Sequence, residues 1–96
     1  MEIKYQIRYL EEVVRKHIPA LALSAKTLIK RAIEERLMVD PISFGKPLQY
    51  SLKGYRRLRV SDYRIVYRIE ATTNTVIIIA IKHRKDVYEE SILLLE

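Results

Sequence analysis

The sequence has no cysteine, two glycines, two histidines and one phenylalanine. Each scarcity excludes something. Without cysteine there is no disulfide framework, and thiols carry no information about compartment. His17 and His83 are the only histidines. No Cys/His/Asp cluster has ligand spacing, so no metal centre is expected. Two glycines cannot build a glycine-rich phosphate loop, and there is no Gly-x-Ser-x-Gly turn for a hydrolase nucleophile. Glu34-Glu35 and Glu89-Glu90 sit beside ordinary solvated positions and make no paired-carboxylate site. No apolar run approaches the ~20 residues that span a bilayer, so no membrane partner is expected. The opening MEIKYQIRY alternates polar and apolar residues, unlike a signal peptide, which makes the cytoplasm the expected location. No cofactor is expected.

Positive charge is what the chain has in excess. Eighteen Lys and Arg against twelve Asp and Glu leave a formal net charge of +6 on 96 residues. Such an excess on a small body favours an acidic partner. Apolar residues make up 49% of the chain, enough for one core, so residues 1–96 are read as a single domain.

The charge is concentrated in KGYRRLRVSDYRIVYR, Lys53 to Arg68. Its alternation predicts two antiparallel strands joined at Ser61-Asp62. A two-residue loop sets Val60 opposite Tyr63, Arg59 opposite Arg64, Leu58 opposite Ile65 and Arg57 opposite Val66. Val60, Leu58, Tyr63, Ile65 and Tyr67 then share a core face. Arg57, Arg59, Arg64 and Arg68 share the other, with Tyr55 among them. Opposed like charges in a sheet are unfavourable. A solvated basic face is the plain reading, but such strands usually interleave Glu or Thr, and a polyanion is the better one.

Around this hairpin the chain reads in order. Residues 2–8 alternate as a half-buried edge strand. Leu10, Val13, Val14 and His17 fall at helical spacing, with Glu11–Arg15 and Glu12–Lys16 as i,i+4 pairs, until Pro19. Ser24 is the expected N-cap of a longer helix with the stripe Leu28, Ile29, Ala32, Ile33 and Leu37, stopped at Asp40-Pro41. Residues 41–52 read as a loop placing Phe44 and Leu48 near the core. Thr75 to Lys82 is apolar on both faces, as in an interior strand. A short helix or tail from Asp86 follows. The expected fold is α+β: two N-terminal helices on one face of a small, mainly antiparallel sheet, in the order β-α-α-β-β-β.

Arginine, tyrosine and one late histidine remain for chemistry. RNA brings its own nucleophile, the 2′-hydroxyl, and needs only alignment, charge neutralisation and two proton movements. Arginine forks match phosphate, and tyrosine stacks on bases or moves a proton. A basic face with tyrosines can therefore bind RNA or cut it; composition does not choose.

FGKPLQYSLKGYRRLRVSDYRIVYRIE, followed by a strand and HRKDVYE, resembles the RelE/ParE toxin superfamily of toxin–antitoxin systems over nearly the whole chain. The resemblance implies an endoribonuclease toxin. It would cut mRNA in the ribosomal A site by 2′-hydroxyl attack, leaving a 2′,3′-cyclic phosphate. A cognate antitoxin would wrap it, and operator DNA would be met only through that complex. By the same resemblance Arg64 would bind the scissile phosphate, Arg84 would protonate or stabilise the leaving 5′-oxygen, and Tyr88 would stack on a base. Arg57 and Arg59 would grip the RNA, with Lys53, Arg68 and His83 as further RNA contacts. The family pattern has lysines at Arg57 and Arg59. Arginine is a poor general base, so His83, Tyr88 or a water would take the 2′-hydroxyl proton. The alternatives are a ParE-like DNA gyrase inhibitor, and a degenerate member that only binds its antitoxin.

Overall fold

In the computed structural model, which describes residues 4–48 and 53–86, the opening alternation becomes strand β1, Gln6–Tyr9. The next segment closes in a π-helical turn, Val13–His17, with Val13 fully buried. Helix α1, Leu23–Ala32, runs on into a second π-helical turn, Ile33–Leu37. Ser24 is not its cap. Ala22, in extended backbone, holds that position, and its carbonyl already accepts a bond from the Lys26 N–H. Ser24 therefore sits inside the first turn. The buried stripe is Ala25, Ile29, Ala32, Ile33 and Leu37, while Leu28 lies on the exposed side.

Asp40-Pro41 ends this helix and starts another. The Asp40 carboxylate accepts from the Ser43 N–H, and Pro41 occupies the first turn of α2, Pro41–Phe44. The expected loop thus contains a helical turn that buries Pro41 and turns Phe44 outward. Phe44 is half exposed; Leu48 is buried as expected.

Strand β2, Lys46–Pro47, then β3, Arg56–Val60, and β4, Tyr63–Glu70, follow. A 3₁₀ turn at Ala71–Thr73 and Asn74 in the left-handed region lead into β5, Thr75–His83. The five strands lie in the order β1-β5-β4-β3-β2. All neighbours are antiparallel except β1 and β5. β1 takes the edge position read from the sequence. The β3–β4 register is the one the two-residue loop requires, from Val60↔Tyr63 to Arg57↔Val66. Ser61 holds the positive φ that such a tight hairpin demands.

The helices cover one face. Val13, Ile29, Ile33 and Leu37 pack there against Leu58, Ile65, Tyr67, Val76, Ile78 and Ile81. The opposite face carries a smaller apolar cluster of Leu48, Tyr55, Val66, Ile77, Ile79 and Ala80. It is therefore basic only in part.

Between β4 and β5 the pairing shifts. Val66 lies opposite Ala80 but Tyr67 lies opposite Ile78, which leaves Ile79 unpaired as a β-bulge. Before the bulge Val76 and Ile78 face the helices. After it Ile81 does, and Ile79 and Ala80 both turn to the other face.

Tyr67 ties the core to the α2–β2 connection. Its hydroxyl donates to the Pro41 carbonyl. Arg56, its Cα partner, donates through Nη2 to the carbonyls of Ile42 (2.6 Å) and Gly45 (2.9 Å). A Cβ on Gly45 would lie 1.7 Å from the Tyr67 hydroxyl oxygen. Tyr67 is fully buried and has nowhere to retreat. Gly45→Ala is expected to lower stability by about 1–3 kcal/mol. Tyr67→Phe should cost about 1 kcal/mol through the lost hydrogen bond. The double variant should fall short of the sum, because removing the hydroxyl relieves part of the clash. Urea unfolding of the three variants checks this.

His17 closes the part of β5 that β1 is too short to cover. Its Nδ1 accepts from the Ile81 N–H at 3.2 Å. Burial, and then Lys82 and Lys16, push its basicity below the usual histidine range, with Glu12 opposing. The folded state thus binds a proton less readily than the unfolded chain. The stability this gives is fully present above about pH 6.5 and is lost as pH falls below it. Thermal melts across pH 5–8 should show that loss, and His17→Gln should flatten it.

Candidate functional site

The hairpin register and the bulge together build one row of cations. Arg59 on β3, Arg64 on β4 and Lys82 on β5 lie directly opposite one another on the face away from the helices. Opposed side chains in a sheet start about 5 Å apart. Arg57 extends the group from the next row, roughly 7 Å along β3, with Lys46 opposite it. Among the described residues no carboxylate lies within 4 Å of Arg57, Arg59, Arg64 or Lys82.

Arg64 is the fixed centre. It is only 9% exposed. Its Nη1 donates to the carbonyls of Tyr63 (2.9 Å) and Ser61 (3.2 Å), which holds the guanidinium under the hairpin turn. Burial first, and then Arg59, Arg57 and Arg84, disfavour its charged form; Asp62 opposes them. Arginine stays protonated regardless. The arrangement is therefore a pre-set positive site.

Arg84 stands just beyond β5, in a 3₁₀ turn at Arg84–Asp86. Its N–H donates to the Asp62 carbonyl at 2.7 Å, and its Nε lies 3.7 Å from Asp62 Oδ1. The hairpin turn thus anchors Arg84 at the end of the row. Arg68 is on the same face but beyond the apolar cluster, opposite Ile77, with Glu70 at 3.6 Å from its Nη1. It does not join the row. Lys53 is exposed and precedes β3. Tyr88 lies outside the described residues.

His83 is not among the arginines. It pairs with Tyr63, on the helix side of the sheet, and its ring meets the Tyr63 ring edge-on at 5.4 Å between centroids. Lys82 stands opposite Arg64 in the row, and the alternation after Asn74 could not reveal it. An unbulged β4–β5 hairpin pairs Arg64 with Ile81; the extra residue at Ile79 moves Lys82 into register. The one available signal was that Lys82 is the sole charged residue in an apolar strand.

The chain is similar to known proteins in sequence and in structure. A family model described as the ParE toxin of type II toxin–antitoxin systems matches residues 5–88. Toxin RelG of Mycobacterium tuberculosis is 41% identical over 49 residues, 51% of this chain. The chain spans 56% of the length of that curated relative. In structure the chain is similar to the toxin–antitoxin complex RelBE2 of Mycobacterium tuberculosis. The TM-score is 0.78 and the identity 28%, covering 88% of this chain and 95% of that one. The isolated RelE toxin of E. coli shares the fold, with TM-score 0.69 and 21% identity over 96% of this chain and 99% of that one.

The row makes a test independent of any ligand. Arg59→Thr removes a like charge opposite Arg64 and should stabilise the free protein by a few tenths of a kcal/mol. Raising the salt from about 0.01 M to 1 M should shrink the difference, because the screening length falls from about 30 to 3 Å. A wild type more stable than the variant at low salt would show that the row is not under repulsion.

Proposed function

Because the chain belongs to the RelE/ParE toxin family of type II toxin–antitoxin systems, we propose that it is an endoribonuclease acting on translated mRNA. In this reading it cuts in the ribosomal A site and is held inactive by a protein antitoxin. The opposed row Arg59–Arg64–Lys82 is the observation that supports this most. Three cations set against one another, with no carboxylate paired to them among the described residues, fit a phosphodiester and the extra charge it gains during attack.

The 2′-hydroxyl attacks phosphorus and the 5′-oxygen leaves, giving a 2′,3′-cyclic phosphate and a 5′-hydroxyl. Arg64, immobilised by its backbone contacts, binds the non-bridging oxygens. Arg57 and Arg59 hold the strand. Water takes the 2′-hydroxyl proton, since no arginine can. The ammonium of Lys82 gives a proton to the leaving 5′-oxygen, which a guanidinium does poorly. Arg84, held by Asp62, neutralises charge at that end rather than donating the proton. The cognate antitoxin covers the row with an acidic or amphipathic segment, and operator DNA is met through that complex.

The matching family model is described for ParE toxins, so a gyrase inhibitor without nuclease activity is the second reading. Primer-extension mapping of mRNA ends after brief induction separates the two. The nuclease reading expects new 5′ ends inside translated frames, absent when translation is blocked. Arg64→Ala and Lys82→Ala should each lower cleavage at least about 100-fold. Lys82 is exposed, so its loss removes no packing. Intact mRNA with induced DNA damage would reject the nuclease reading in favour of the gyrase one.

A further inference from the structure

On the helix side of the sheet, at the end of β5, lies a cavity of about 300 Å³ whose lining includes Glu12, Lys16, His17, Tyr63, Lys82 and His83 beside the apolar Ala20, Leu21 and Ile81. Both histidines of the chain meet there. Each has its Nδ1 occupied by a backbone donor: the Ile81 N–H for His17, the Lys85 N–H for His83. A neutral ring that accepts at Nδ1 carries its proton on Nε2. Both imidazoles therefore present a donor, beside two lysine ammoniums. Among the described residues the lining holds one carboxylate, Glu12, with an oxygen 3.8 Å from the Lys16 Nζ in an exposed pair. The cavity is rich in donors and poor in acceptors. Tyr63 and His83 add two ring surfaces held edge to face.

Lys82 belongs to both places. It stands opposite Arg64 in the cation row and also lines this cavity. Beyond Tyr9↔Ile78, β5 has no β1 partner, so among the described residues no strand separates the row from the cavity at that end. We infer that the cavity is a second nucleotide subsite, receiving the phosphate and base of a nucleotide that flanks the cleaved one as the RNA bends round the end of β5 at Lys82. The inference rests on the RNA reading of the open face. The phosphate meets Lys16, Lys82 and the imidazole Nε2–H groups; the base lies against Tyr63 and His83.

The test uses uncleavable 2′-O-methyl RNA and the purified chain at pH 7.5. Fluorescence anisotropy compares a trinucleotide with a heptanucleotide. One additional stacked and phosphate-bound nucleotide should tighten heptanucleotide binding about ten-fold. Lys16→Ala combined with His83→Phe, which keeps the ring against Tyr63, should bring heptanucleotide affinity down to that of the trinucleotide. A variant that retains the length gain overturns the inference. Imidazole resonances give a separate reading, since only two exist. Both should move with the heptanucleotide and stay put with the trinucleotide; stationary resonances overturn the inference. Loss of trinucleotide binding in Arg59→Ala tests the open face alone. If the wild type binds neither oligomer, the open-face reading fails. Titration with a nucleoside 5′-monophosphate then decides the cavity: saturable imidazole shifts sustain a nucleotide site, and their absence rejects it.

Discussion

One unpaired residue, Ile79, sets which side chains of β5 meet which neighbours. Side chains alternate strictly along a strand, so a single extra residue reverses every assignment beyond it. Before the bulge, Val76 and Ile78 fill the core under the helices. After it, Ile81 continues that core, Lys82 comes into line with Arg64, and His83 comes into line with Tyr63. Without the bulge a lysine would point at the helices and an isoleucine would stand among arginines. Core packing selects the shifted register, and the cation row is its consequence.

The row is held in place by structure that does not depend on it. Arg64 is fixed by the carbonyls of Ser61 and Tyr63, and Arg84 by Asp62, all in or beside the hairpin turn. Apolar layers lie on both sides of the sheet, so the strands do not splay to relieve repulsion between opposed cations. An anion between these groups removes a cost already present in the free protein and requires little rearrangement. This is electrostatic preorganisation in a literal sense. In the proposed cleavage, arginines at 57 and 59 would need only to bind, and the lysine at 82 would be left for proton transfer.

The hairpin was legible because its signals are local. Alternation set the faces, the two-residue turn set the register, and both appear as expected from Val60↔Tyr63 to Arg57↔Val66. The edge strand and the helical cover followed from periodicity. What failed depended on partners distant in sequence or on backbone irregularity. Ser24 matched a cap by type, but the helix begins two residues earlier, where Ala22 is extended. Phe44 has the hydrophobicity of a core residue, yet the turn capped by Asp40 faces it outward. Arg56 lies between Tyr55 and Arg57 in sequence. Its alternation places it on the core side, where it holds two carbonyls next to Gly45. The place of Lys82 opposite Arg64 could not be read, because an extra residue in an unbroken run of isoleucines leaves no compositional trace.

Lys82 and His83 show how a strand end can serve two surfaces. Where β1 stops at Tyr9, β5 continues for five more residues with one edge unpaired by any strand among the described residues. An open edge invites pairing with another chain. Here His17 takes the Ile81 N–H, so the edge is closed by a side chain rather than a strand. A strand in that position would have walled Lys82 off from the helix side. A histidine leaves the end of β5 narrow enough for one lysine to border both the arginine row and the cavity behind it. The shortness of β1, which looks like a deficit of sheet, is what allows a basic face and a donor-rich pocket to be continuous around a single strand.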